Sequence, residues 1–96
     1  MNKNDFGDYI RVDVEEDISS ASAVTFNFID PKGNLTQKAG TIPGISVGDA
    51  VAGEYGEYLV EEGLLAFSGL WRIKLTVDYS GTRQRSTKYV GFPIGA

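Results

Sequence analysis

From Leu70 to Tyr79 the chain alternates without a break, with Leu70, Arg72, Lys74, Thr76 and Asp78 on one parity and Trp71, Ile73, Leu75, Val77 and Tyr79 on the other. Successive side chains of a strand point to opposite faces, so this period of two makes a ribbon with one wet side and one dry side. Burying each large apolar member is worth about 1.5–3 kcal/mol. That fixes the register, because a slip of one residue would drive Arg72 and Lys74 into the core. Trp71, the only tryptophan, shares the dry parity and is assigned to packing rather than to a ligand.

The same period recurs along the chain. Ala23 to Ile29 alternates Val24, Phe26 and Phe28 with Thr25 and Asn27, then meets Asp30-Pro31-Lys32-Gly33, where proline presets φ and glycine tolerates the exit of a β-turn. Leu35 to Ala39 returns as the hairpin partner. Tyr9 to Val14 is a first strand ending at the acidic turn Glu15 to Asp17, and Tyr55 to Val60 is another. Glu61 to Gly69 is a connection whose leucines tuck under the fold. Gly40 to Gly53 holds too many glycines, and a proline, for a long regular element and reads as loop with a short strand. After a hairpin at Asp78 to Gly81, the run Arg83 to Ile94 is expected to set Val90, Phe92 and Ile94 on one face and Arg83, Arg85 and Thr87 on the other.

About seven short strands at turn spacings near ten residues, with no helical period, predict an all-β chain: an antiparallel two-sheet sandwich of immunoglobulin type. A small Greek-key barrel is the alternative. The 96 residues suffice for one domain and one thin core, with the terminal stretches Met1 to Asp8 and Gly91 to Ala96 expected as extended arms.

The chain has no cysteine and no histidine, so it lacks disulfides, thiolate nucleophiles, the side chain that titrates nearest neutrality and the commonest ligand of transition metals. No cofactor and no metal are expected, and most hydrolase mechanisms drop out. No window approaches the roughly 20 apolar residues that cross a bilayer, and no apolar leader opens the chain, so synthesis in a cytoplasm without membrane association is expected. The net charge of −4 argues against a general nucleic-acid binder. Charge is unevenly spread, with four basic and twelve acidic residues from Met1 to Gly69 but five basic and one acidic from Leu70 to Ala96. Folding either intermixes these charges or leaves two poles able to meet head to tail.

The carboxylates of Glu15, Glu16 and Asp17, or of Glu61 and Glu62, could supply a pair for sugar hydrolysis, but adjacent residues point apart, and solvated turns are the simpler reading. Glycines 40, 44 and 48 do not make a phosphate-binding pattern. Tyr55 and Tyr58 fall on opposite faces of their strand, one toward the core and one toward the surface. A tyrosine exposed beside Arg72 or Lys74 would offer a ring to sugars or bases. Arg83, Arg85 and Lys88 read as charged edge protection or as a basic patch for an acidic neighbour, two roles that are compatible. With Arg72 and Lys74 they form the candidate assembly interface.

Three stretches carry a resemblance: VTFNFIDPKGN (Val24 to Asn34), GEYLVEEGLLAFSGLWRIKLTVDYSG (Gly56 to Gly81) and the closing YVGFPI. Together they resemble the small immunoglobulin-like domains of tailed-phage virion proteins, such as the N-terminal domain of the siphophage upper baseplate protein. Gly40 to Gly53 has no counterpart there. The resemblance implies a non-enzymatic structural protein of a virion, in tail, baseplate, neck or head decoration, working by protein–protein assembly. Its partners would be other virion proteins and copies of itself in a symmetric particle, with neither nucleic acid nor membrane bound. The alternative is a carbohydrate-binding or adhesive surface module.

Overall fold

A computed structural model describes residues 1–80 and 83–96. In chain order the strands are β1 (Tyr9–Asp13), β2 (Ala23–Ile29), β3 (Leu35–Ala39), β4 (Tyr55–Leu59), β5 (Gly69–Tyr79), β6 (Arg83–Ser86) and β7 (Val90–Ile94), and no described residue is helical. All strand pairings are antiparallel. β1 and β4 make a two-stranded sheet; β3, β2 and β5 lie side by side in a larger one, whose far edge is shared by β6 and β7. The chain is thus a small antiparallel β-sandwich of two separate sheets, not a barrel. The expected hairpin turn at Asp78 to Gly81 lies partly outside the described residues.

Parity dictates the core. Phe26 and Phe28 from β2 stack with centroids 6.0 Å apart, and the ring of Tyr58 from β4 tilts against both. Beside them Trp71, Ile73, Leu75 and Val77 of β5 are buried, closed off by Ile10, Val60, Leu65 and Ile94. Trp71 is 3% exposed, packs against Phe92 at 6.3 Å, and its indole N–H donates to the Phe67 carbonyl at 2.9 Å. It packs, as its parity requires.

The two long sides of the sandwich differ. On one, the chain leaves β3 and crosses at Gly40 to the outer edge of β4, where Thr41 and Glu57 exchange backbone hydrogen bonds of 2.9 and 2.8 Å. The crossing passes so close over Phe26 that a Cβ on Gly40 would lie 2.5 Å from its ring. On the other side the edges of β1 and of β6–β7 face each other across an open seam lined by Ile10, Val12, Ile73, Val90 and Phe92.

The run from Arg83 to Ile94 departs from its expected alternation. Thr76 pairs with Ser86 but Ile73 pairs with Val90, so two residues of β5 oppose three of the edge strand: a β-bulge. Thr87 anchors it, its N–H donating to the Leu75 carbonyl and its hydroxyl accepting from the Leu75 N–H, both at 2.9 Å. The extra residue resets parity. Arg85, opposite the buried Val77, therefore shares the inner face with Val90 and Phe92 instead of opposing them.

Three further expectations are corrected. Residues 40–53 form no strand, only the isolated bridges Thr41–Glu57 and Val47–Ala50. Tyr55 takes the outer face of β4, as its offset from Tyr58 demands, yet is fully buried, with its hydroxyl donating to the Ile45 carbonyl at 2.9 Å. The glycine-rich loop lies over it. Nor are the ends extended arms: Gly91 to Ile94 belong to β7, and Asn2 bridges Gly95 in parallel.

Candidate functional site

The outer face of the larger sheet is built from the other parity of the same strands. One row across it reads Leu35, Ile29, Arg72, Gly91, and the next reads Gln37, Asn27, Lys74. Leu70 and Pro93 pair beyond the first row. Leu35 and Leu70 are 56% and 62% exposed, so the face is apolar at this end and becomes hydroxyl- and amide-rich toward Thr25 and Thr76.

Two cations stand in it. Arg72 and Lys74 both lean on the ring of Tyr89, at 6.0 and 4.8 Å from its centroid. The tyrosine beside these cations is therefore Tyr89, delivered by the bulge. Among the described residues neither cation has a carboxylate at ion-pair distance, whereas Arg11, Lys38 and Arg85 are each paired, with Glu57, Glu61 and Glu16. A guanidinium and an ammonium held against an aromatic ring still present outward donors.

Beneath them Asn27 is 4% exposed although its face is the outer one. Its amide N–H groups donate to the Thr25 carbonyl at 3.3 Å, the Lys74 carbonyl at 3.2 Å and Thr76 Oγ1 at 3.0 Å. Its oxygen accepts from Gln37 Nε2 at 2.8 Å. This network ties three strands beneath the cations, and nothing in the alternating sequence distinguishes Asn27 from an ordinary solvated residue.

The five expected interface cations do not form one patch. Arg72 and Lys74 share the outer face. Arg83 lies over the Tyr79 ring at 4.3 Å, at the far end of β5. Arg85 and Lys88 line the seam beside Glu15 and Glu16, and Arg85 reaches across it to Glu16. β6 is an edge strand whose Arg85 points inward, an arrangement that discourages strand addition there.

Titration shifts mark structure. Burial, then the hydrogen bond to Glu61, pushes the Tyr58 hydroxyl up to about 12. Hydrogen bonds from Lys38 and then Tyr58 hold the Glu61 carboxyl below its usual range. Asp17 is lowered by the hydroxyl and backbone N–H of Ser19, and Asp30 chiefly by the backbone N–H of Asn34. Among the described residues no three acidic side chains converge as a metal-holding group. Set against known proteins, the chain matches no family model, no curated protein and no solved structure.

Proposed function

We propose that the protein is a non-enzymatic structural component of a tailed-phage particle, seated by protein–protein contact through the outer face of its larger sheet. The observation that carries this reading is the pair Arg72 and Lys74, without carboxylate partners among the described residues and leaning on Tyr89, beside exposed Leu70 and Leu35. Arginine and tyrosine around an apolar centre are what protein interfaces enrich. An acidic partner surface would complete both cations. The sequence resemblance to phage virion domains and the missing histidine and cysteine point the same way. Repetition in a symmetric particle would turn modest contacts into firm attachment. Tyr55 lies under a loop and Tyr58 packs on Phe26 and Phe28, so neither ring of β4 is free to stack on a sugar as the alternative would require.

The test uses virions assembled without this protein. The purified chain should bind them at a fixed stoichiometry, and the double variant Arg72→Glu/Lys74→Glu should lose that binding while keeping its fold. Absence of wild-type binding at every ionic strength overturns the reading, and saturable binding on a glycan array would replace it with the carbohydrate one.

A further inference from the structure

The edge of β1 is open. Val14 N–H donates to the Glu54 carbonyl and Val60 N–H to the Asp8 carbonyl, and these bonds set the phase of the β1–β4 ladder. Hydrogen-bonded and non-hydrogen-bonded pairs alternate in an antiparallel ladder, so Asp8, Ile10, Val12 and Val14 face β4. The backbone groups of Tyr9, Arg11 and Asp13 point away from it, toward the seam, and among the described residues no strand pairs with them. An edge of this kind is a template for another strand.

Its side chains say which strand fits. Arg11 and Asp13 lie two apart on the exposed outer face, with opposite charges. Arg11 uses only Nε toward Glu57, which leaves its other donors, and one Asp13 oxygen accepts from the Glu15 N–H. When β1 meets a second β1 antiparallel, only registers that set outward backbone groups against each other are allowed. A two-fold axis at Arg11 opposes arginine to arginine, and one at Asp13 opposes the two carboxylates. An axis at Val12 places each Arg11 opposite the other copy's Asp13 and sets valine against valine on the inner face. Within β1, that register alone sets unlike charges opposite each other.

The seam supplies the apolar term. Val90 has inner parity yet is 57% exposed, and Met1 beside it is 42% exposed. A strand added at β1 would bring further inner-face valines and isoleucines to this groove. β3, a further free edge, has no acidic residue to complement Lys38, and its side of the sandwich is already closed by the crossing at Gly40.

We propose that β1 pairs antiparallel with β1 of a second copy about a two-fold axis at Val12, joining two small sheets into one four-stranded sheet. The inference stands on this edge and does not depend on the docking face. A pairing this short buries less than the roughly 1,200 Å² of a standard interface, so the dimer forms in a concentration-dependent way.

Amide hydrogen exchange and sedimentation velocity on the wild-type chain, from about 1 μM to about 1 mM, test it. Protection of the Arg11 and Asp13 amides should rise together with the dimer fraction. Arg11→Glu and Asp13→Lys should each weaken self-association by roughly tenfold or more through like-charge pairing. An equimolar mixture of the two should dimerise again, since each then offers what the other lacks. Arg11→Pro, whose one lost backbone donor points outward, should stay folded and monomeric. A monomer at the highest concentration, or a dimer indifferent to Asp13→Lys, overturns the proposal. Both results leave binding to virions through Arg72 and Lys74 unaffected.

Discussion

Asn27 sits where a period-two reading expects water, and its burial is tolerated because every polar atom finds a partner in Thr25, Gln37, Lys74 or Thr76. Three of those partners accept, so the side chain must donate. Asn27→Asp removes the donors and buries a negative charge among oxygens, and should cost at least about 2 kcal/mol in urea denaturation at neutral pH. Desolvation raises the pKa of the new carboxyl, so its charge, and part of this loss, disappears as pH falls through that raised value. Gly40 is a second such point. An added methyl would meet Phe26 at 2.5 Å and the Glu57 carbonyl at 3.1 Å. Gly40→Ala should therefore destabilise the chain by about 1–3 kcal/mol through overpacking, read from the same denaturation curves.

Elements were legible where burial and sequence share one period. Ala23–Ile29 and Leu35–Ala39 match their expected bounds, because alternating aromatics and a proline–glycine turn leave one way to pair them. The Asp30 carboxylate organises that turn, accepting from the Lys32 and Asn34 N–H groups at 2.9 Å each. Its pKa is lowered in the fold, so its contribution is complete above the ordinary carboxylate range near 4 and fades as pH drops through the lowered value. The lead of wild type over Asp30→Asn in thermal midpoint should accordingly narrow between about pH 6 and about pH 2. The bulge was not legible, since Arg83 to Ile94 alternates plausibly as one strand and only the partner strand reveals the extra residue. Thr87→Val should leave the Leu75 N–H without its acceptor and cost about 1–3 kcal/mol, with Thr87→Ser retaining most of the stability. Ile18, wholly buried in the β1–β2 connection, and Tyr55 beneath the glycine-rich loop were equally hidden. Their burial comes from irregular chain that no periodicity describes.

At the scale of the molecule, the linear split of charge resolves into three places. The outer face holds Arg72 and Lys74, the far end of β5 holds Arg83, and the seam mixes Arg85 and Lys88 with Glu15 and Glu16. Counting charges along the chain could not separate these, because the strand registers and the bulge after Ser86 decide which face each side chain takes. Pairings such as Tyr9 with Leu59 and Ala23 with Asp78 join distant parts of the chain, so loop closure precedes most of the reward. Folding should take milliseconds to seconds, which stopped-flow fluorescence of Trp71 would record as a single slow phase. Asn2 and Gly95 bridge each other in parallel. Beginning and end meet at one corner, so a few linking residues would turn the polypeptide into a covalent circle, lowering the entropy of its unfolded form while asking almost nothing of the folded one.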